Sequence, residues 1–339
     1  MRKRNHTYFS VIIVVSFLLI FARSYSQEFN PVINQIISKI AIDSLVRTVN
    51  DLSGENPVLI NNQEIVIKSR QWDSEHNANA QKYLEERLIS YGLETSIQCP
   101  NQRCCNILGF KEGILNPETY ILIGAHYDDM SYNGDAPGAN DNGSGCALVL
   151  EAARIFQDYD TDYSIIFAFW DEEELGMLGS KEFAAQCALN NVNIEVVINL
   201  DMLAWDKNDS RKTKIKMKRV GNFNNLINIA TTLNSIYNCG LEVFTTYPDY
   251  YGTGDCDYFW HNGYNAISFA DNMEYMDAYH SIFDRINLFN LNYYLRNSRL
   301  MIAYLSQFSG VSLKTENVDD YYFNNIQIFP NPANEECYL

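Results

Sequence analysis

One stretch, residues 120–156, constrains the fold more than any other part of the chain. Residues 120–124 form a short apolar run that is typical of a buried strand in an α/β sheet. The run leads into His126 and Asp128, and a loop rich in Gly and Asn then carries Asp141. From Cys146 the apolar residues follow a helical period. Open α/β sheets bind ligands at the carboxyl ends of their strands, so this stretch predicts a site at such an edge.

Further apolar runs alternate with helical patterns along the rest of the chain. The predicted strands are 94–98, 105–110, 120–124, 163–170, 193–201 and 266–270. The predicted helices are 27–52, 76–91, 146–156, 221–233 and 291–308. This alternation predicts an α/β fold, a three-layer sandwich with a central mixed, mostly parallel β-sheet between helices.

The charge of the chain limits its partners. The formal net charge is -17, and a protein that binds nucleic acid needs a positive face for the phosphates, so we expect no nucleic-acid partner. The basic segment 211–219 alternates Lys and Arg with other residues. That pattern favours the solvated face of an edge strand whose pairing is blunted by lysines.

The N-terminal residues predict export. Arg2, Lys3 and Arg4 precede an apolar run at 11–22, and small residues at 24 and 26 suit cleavage before Gln27. We therefore predict a signal peptide at 1–26 and a periplasmic, cell-surface or extracellular protein. The apolar run is too short to span a bilayer, so we expect no stable membrane insertion after cleavage.

Cysteine usage agrees with an exported chain, in which disulfides can form. The chain has eight cysteines: Cys99, Cys104, Cys105, Cys146, Cys187, Cys239, Cys256 and Cys337. Cys99 can pair with Cys104 or with Cys105, and Cys239 with Cys256. We expect Cys146 and Cys187 to pack as small apolar residues on helices.

Potential metal ligands follow three of the predicted strands. They are His126, the acidic residues after Trp170, and Asp201, and His280 and Asp141 lie in loops. Each has an ordinary alternative: a solvated imidazole, acids that favour a helix dipole, or a capping carboxylate. Together, two imidazoles and three carboxylates suit a pair of zinc ions that share one carboxylate.

Five motifs in order resemble the signature of a known family. They are GAHYD (124–128), GANDNGSG (138–145), EELGMLGS (173–180), NLDM (199–202) and YH (279–280). The chain over about residues 70–308 is similar to the secreted dizinc aminopeptidases, the bacterial leucyl aminopeptidase-like enzymes of the MH clan of zinc exopeptidases. The resemblance implies a secreted exopeptidase that removes N-terminal residues from peptides with two zinc ions per chain.

The resemblance also implies residue roles. Asp141 matches the bridging carboxylate, followed in the family by a cis peptide that here precedes Asn142. His126 and Asp201 match the other ligands of one zinc ion, and Glu174 and His280 those of the second. Glu173 matches the general base, and Asp128 matches the carboxylate that holds the first histidine. The register of the acidic triplet leaves Glu172 as a solvated or dipole-favoured acid.

A catalytic tyrosine is implied less directly. Tyr251 stands where the family has a tyrosine that stabilises the oxyanion of the tetrahedral intermediate. Tyr247, Tyr250 and Tyr258 lie nearby, so an aromatic pocket wall is the alternative.

Two other functions fit the same scaffold. A glutaminyl cyclase-like acyltransferase of this fold uses one zinc and carries a long insertion after the glutamate pair, whereas Glu174 here is followed directly by Leu175 and Gly176. A non-catalytic binding module loses ligands or the base, whereas this chain keeps every matching position.

The tail resembles a separate element. The sequence FPNPA (329–333) is similar to the opening of the C-terminal sorting domain of type IX secretion in the Bacteroidota. We therefore expect a catalytic domain at 27–310, a linker with a truncated sorting segment at 311–339, and the type IX machinery as a partner. A short polar tail with a proline-rich turn is the alternative.

Overall fold

A computed structural model describes residues 28–218, 224–247, 254–272 and 277–314. The predicted signal peptide, Tyr251, Cys337 and most of the predicted sorting segment lie outside the described residues. The helices are α1 Pro31–Ser38, α2 Ile42–Leu52, α3 Glu75–Ser90, α4 Gly145–Phe156, α5 Leu178–Leu189, α6 Asn224–Ile236, α7 Cys256–His261 and α8 Leu291–Ser309. The strands are β1 Val58–Ile60, β2 Gln63–Ile65, β3 Glu94–Gln98, β4 Asn106–Lys111, β5 Asn116–His126, β6 Tyr159–Thr161, β7 Tyr163–Trp170, β8 Asn193–Asp201, β9 Lys212–Lys216, β10 Glu242–Thr246, β11 Ala266–Asp271 and β12 Val311–Leu313.

Eight strands form one mixed sheet in the order β10-β9-β11-β8-β5-β7-β4-β3. The four central strands, β11, β8, β5 and β7, are parallel to one another. Strands β9, β4 and β3 join through antiparallel pairs, and β10 lies parallel to β9. The predicted mixed, mostly parallel α/β sheet is confirmed.

The apolar side chains of the central strands alternate between two cores, one on each face of the sheet. On β5, Ile121 and Ile123 point into the larger core, whereas Tyr120 and Leu122 point into the smaller one. Most helices contribute to the larger core, and α5 and α7 cover the smaller core with Phe183 and Phe259. Both faces of the central strands are buried, which explains why these strands are continuous apolar runs.

The helix predicted at 27–52 is wrong in one respect, because it is divided into α1 and α2. The first helix is capped at Lys39, whose backbone N–H donates to the carbonyl of Ile36, while the N–H of Ile40 donates to the carbonyl of Ile37. The backbone N–H of Ala41 leaves the helical pattern and donates to Oε1 of buried Glu151 at 2.8 Å. A tertiary partner therefore satisfies the donor that the break exposes.

The prediction that 211–219 forms an edge strand is also wrong. Strand β9 is paired on both sides, with β10 and β11, and Lys214 is buried. The alternating lysines lie on one face of an internal strand. That face is directed toward buried carboxylates such as Asp201.

Among the cysteines that the structure describes, two form a disulfide and five are buried free thiols. Cys99 forms a disulfide with Cys105, one of the two partners that the sequence analysis left open. The predicted pair Cys239–Cys256 is wrong, because both are free buried thiols. Cys239 belongs to the larger core and Cys256 to the smaller one, on opposite faces of the sheet. Cys146 and Cys187 are buried and free, as predicted.

The described chain continues past the predicted domain boundary at 310. Strand β12 pairs with β6 in a small antiparallel sheet, so residues 311–313 pack on the catalytic domain. No helix among the described residues is long and apolar enough to cross a membrane.

Candidate metal centre

The candidate ligands converge because the central strands are parallel. His126 is the last residue of β5 and Asp201 the last of β8, while Glu173 and Glu174 follow β7. The carboxyl ends of these three neighbouring strands meet at one edge of the sheet, and this is where α/β folds build their sites.

One group of ligand atoms lies between β5 and β8. Nε2 of His126 lies 3.3 Å from Oδ1 of Asp141 and 3.7 Å from Oδ1 of Asp201. Each of the three residues offers a ligand atom within 4.8 Å of the other two. One imidazole and two carboxylates on this scale can hold a divalent cation.

A second group shares Asp141 with the first. Nε2 of His280 lies 3.2 Å from Oδ2 of Asp141 and 3.0 Å from Oε1 of Glu174. The two carboxylate oxygens of Asp141 therefore face different imidazoles, with Oδ1 toward His126 and Oδ2 toward His280. A carboxylate in this position is able to bridge two cations.

Glu173 lies beside both groups. One of its carboxylate oxygens belongs, with His126 and Glu174, to a third set of ligand atoms within 4.8 Å of one another. The structure thus brings together all six residues to which the resemblance assigns ligand or base roles.

Asp128 contacts His126, as the resemblance implies, and it also accepts hydrogen bonds from the glutamate pair, which the sequence did not predict. Its Oδ1 lies 3.5 Å from Nδ1 of His126, and its backbone oxygen lies 3.1 Å from the same nitrogen. Its two carboxylate oxygens also accept hydrogen bonds from the backbone N–H groups of Glu173 and Glu174, at 3.0 and 3.1 Å. One buried carboxylate thus positions a histidine and the glutamate pair.

The loop that carries Asp141 is fixed by its two asparagines. Asn140 donates to Oδ2 of Asp271 at 2.9 Å, and Asn142 donates to the carbonyl of Leu200 at 2.8 Å. The peptide bond between Asp141 and Asn142 is cis, as the resemblance implies. These side-chain bonds tie the loop to the ends of β11 and β8.

Asp284 is a site residue that the sequence analysis missed. Its carboxylate accepts the backbone N–H groups of Asn140 and Asp141, each at 2.9 Å. Burial raises the pKa of Asp284 to about 7. It comes four residues after His280 on the same loop, and this spacing was the one available signal.

The electrostatics of the cluster favour added positive charge. Burial raises the pKa of Glu174 to about 7, and it raises the pKa of Glu173 well above its ordinary value. Burial lowers the pKa of His280, but the carboxylates of Asp141 and Glu174 outweigh it and raise that pKa to about 10. For Asp141 the imidazoles of His126 and His280 outweigh burial and hold the pKa below its ordinary value. The excess of carboxylates over imidazoles in the cluster thus favours a bound cation.

The unsatisfied atoms of the cluster fit a metal. Within the part of the chain that the structure describes, Nε2 of His280 and Oε1 of Glu174 lie 3.0 Å apart, but the contact lacks the geometry of a hydrogen bond and neither buried atom has another hydrogen-bond partner. Buried polar groups are normally hydrogen-bonded, so convergent orphaned nitrogen and oxygen atoms need another partner. Imidazole and carboxylate donors are the ligand types of zinc sites that retain an open position.

Glu172 does not behave as the sequence predicted. Its side chain is buried rather than solvated, and the residue has a positive φ of 54° in the turn after β7. Asn101 donates to its Oε2 at 3.4 Å. Glu172 therefore packs toward the disulfide loop and not toward water.

Comparisons with known proteins agree with this geometry. Residues 106–305 match the model of peptidase family M28. This chain is 39% identical over 112 residues to a probable zinc metalloprotease of Pyrenophora tritici-repentis, covering 32% of this chain and 26% of the relative. It is 38% identical over 112 residues to the aminopeptidase YwaD of Bacillus subtilis, covering 32% of this chain and 24% of the relative. The chain spans about a quarter of the length of the curated relatives that it matches.

The fold is shared with a solved aminopeptidase. The structure of the Legionella pneumophila LapA aminopeptidase superposes with a TM-score of 0.71 at 19% identity, over 88% of this chain and 79% of that one. At this identity the likeness concerns the fold alone. The chain belongs to peptidase family M28, since the family model covers more than half of it.

Proposed function

We propose that this protein is a zinc-dependent aminopeptidase that hydrolyses N-terminal peptide bonds. The observation that carries the proposal is the convergence of His126, Asp141, Asp201, Glu174 and His280 around the shared carboxylate, with Glu173 alongside. Membership of family M28 and the similarity to an aminopeptidase support the same activity.

Different residues of the site would bind the metal ions and transfer the proton. His126 and Asp201 would hold one zinc ion, Glu174 and His280 a second, and Asp141 would bridge them. When bound, zinc lowers the pKa of water and polarises a carbonyl. The carboxylate of Glu173 would accept a proton from the attacking water and deliver it to the departing amine.

The test combines zinc content with hydrolysis of aminoacyl arylamides and dipeptides. We expect two zinc ions per chain and turnover in the natural protein. Glu173→Ala should keep the zinc and lose turnover by at least about a hundredfold, since general base catalysis contributes about 10²–10⁴-fold. Glu118→Ala, which removes an exposed glutamate, is the matched control.

Other outcomes would contradict the proposal. One zinc ion without hydrolysis, together with cyclisation of N-terminal glutamine, would identify the glutaminyl cyclase-like acyltransferase instead. Absence of both metal and turnover would leave a binding module.

A further inference from the structure

Strand β9 brings lysines to the candidate metal centre. Thr213 and Ile215 point into the larger core side of the sheet and are buried, so Lys214 and Lys216 share the opposite face. Lys216 is opposite Ser268 of β11, which is in turn opposite Asn199 of β8. Asn199 and Asp201 share a face because they are two residues apart, so Lys216 lies on the face of the sheet that carries Asp201.

The ammonium of Lys216 contacts one of the candidate ligands. Its Nζ lies 3.6 Å from Oδ2 of Asp201, whereas Oδ1 of Asp201 faces His126. The side chains of Lys216 and Asp201 keep 14% and 11% of their surface accessible. The ammonium is therefore largely buried and keeps a small accessible surface beside Asp201.

Gly254 leaves room beside this ammonium. A Cβ atom at Gly254 would lie 3.7 Å from Nζ of Lys216 and 4.0 Å from Oδ2 of Asp201. Both are ordinary van der Waals distances, so a side chain in this place would occupy the space next to the two charged groups. The glycine keeps that space free.

The sign of the charge selects what can enter. The carboxylate of Asp201 already accompanies this buried ammonium, which carries three N–H donors. The positively charged amino terminus of a peptide is repelled from Lys216, and a carboxylate is attracted to it and gains a charge-assisted hydrogen bond. Asp201 is a candidate metal ligand, so a carboxylate held by Lys216 belongs to a residue next to the scissile bond.

We infer that Lys216 is a specificity-determining residue that binds a carboxylate of the substrate, within one residue of the scissile bond. The carboxylate is supplied by an acidic N-terminal side chain or by the C-terminus of a dipeptide. This inference rests on the proposed aminopeptidase function and adds its substrate class.

Matched substrate pairs distinguish the two sources. Glu-p-nitroanilide against Gln-p-nitroanilide tests the side-chain carboxylate, and Ala-Ala against Ala-Ala-amide tests the C-terminal one. In at least one pair we expect kcat/KM to be about 10- to 100-fold higher for the acid, the range that a charge-assisted hydrogen bond supports. Lys216→Gln should remove this difference by lowering the acid member alone, and Lys216→Arg should retain part of it.

Lys212→Gln is the control, because it removes the same charge from the same strand at its far end. Equal values within both pairs for the natural protein would overturn the inference. A loss of the same factor for every substrate in Lys216→Gln would also overturn it, since Lys216 would then be only a counter-ion of Asp201.

A binding measurement separates this inference from the proposed function. In the Glu173→Gln protein loaded with zinc, calorimetry with Glu-Ala, Gln-Ala, Ala-Ala and Ala-Ala-amide reports affinity without turnover. Tighter binding of the acid member, lost on adding Lys216→Gln, would support Lys216 even if the natural protein hydrolysed nothing. Hydrolysis of neutral substrates with no preference for the acids, and equal binding, would reject Lys216 and leave the aminopeptidase function intact.

Discussion

The carboxylate of Asp128 accepts a hydrogen bond from the backbone N–H of Glu173, with 3.0 Å between Oδ1 and N. Its other oxygen accepts from the next N–H, that of Glu174, at 3.1 Å. Asp128 follows β5 and the glutamates follow β7, so the bond fixes the ends of neighbouring parallel strands to each other. The proposed base thus owes its position to the residue that also contacts His126.

Asp128→Asn is the first prediction. An amide has one acceptor oxygen in place of two, so one of the two backbone N–H groups faces an NH₂ donor. We expect kcat/KM to fall about 10- to 100-fold, as is usual when a group that orients metal ligands is changed. Kinetics with zinc analysis on the same preparation would measure it.

Asp135→Asn makes the same chemical change at an exposed position of the neighbouring loop and should leave kcat/KM within about twofold. Unchanged kinetics in Asp128→Asn would mean that the glutamate turn holds its geometry without this carboxylate.

The sequence sufficed for the strands that end in ligands and for the ligand candidates themselves. His126 and Asp201 lie at the ends of continuous apolar runs. A strand that is buried on both faces can be recognised in the sequence from such a run. The order of the strands in the sheet could not be predicted from the sequence. It places Lys216 beside Asp201, two strands apart in space, and no local pattern records that relationship.

The wrong and missed predictions have a common physical origin, because each depends on contacts between residues that are distant in the sequence. Alternating lysines normally mark an edge strand, yet β9 is internal because buried carboxylates compensate its charged face. Asp284 acts on Asp141 across 143 residues of chain, so its hydrogen bonds appear only after folding. Cys239 and Cys256 are separated by the sheet, which spacing along the chain does not reveal.

The disulfide between Cys99 and Cys105 gives a second prediction. It closes a short loop, with a sequence separation of 6, and the chain-entropy model assigns such a loop about 2 kcal/mol. Cys99→Ala should lower the free energy of unfolding by about that amount in urea titrations. Cys187→Ala, at a buried free thiol, reports the cost of losing a cysteine side chain alone; an equal effect of reductant on both variants would contradict the assignment.

Zinc should stabilise the protein more strongly as the pH rises. The pKa of Glu174, about 7, lies above its unfolded value, so without metal its contribution to stability is lost as pH rises toward 7. The pKa of His280, about 10, is also raised, and its contribution is lost as pH rises from about 6.5 toward 10. Zinc replaces these protons, and its binding therefore releases them.

Thermal unfolding with and without zinc would measure the effect at about pH 5.5 and about pH 8, which lie below and above the raised pKa of Glu174. We expect the gain in Tm from zinc to be larger at the higher pH. His280→Gln should reduce the gain at both values, and a gain that is largest at the lower pH would contradict the proton competition.

Arg70 provides the last prediction, because its guanidinium fastens the segment between His126 and Asp141. Its side chain is fully buried and donates to the carbonyls of Tyr127, Leu52, Pro137 and Gly138 at 2.7–2.8 Å. Its Nη1 also lies 3.3 Å from Oδ2 of buried Asp129. Arg70→Met would leave that carboxylate and four carbonyls without their partner.

Breaking a buried ion pair from one side costs about 3–5 kcal/mol, and we expect a loss of unfolding free energy of that size in urea. Zinc affinity should fall with it, since the loop of Asp141 loses its anchor. Arg47→Met removes an exposed arginine and should cost less than about 0.5 kcal/mol. Adding Asp129→Leu to Arg70→Met separates the two contributions: recovery of stability without recovery of zinc affinity would assign the stability cost to the stranded carboxylate and the zinc cost to the lost carbonyl contacts.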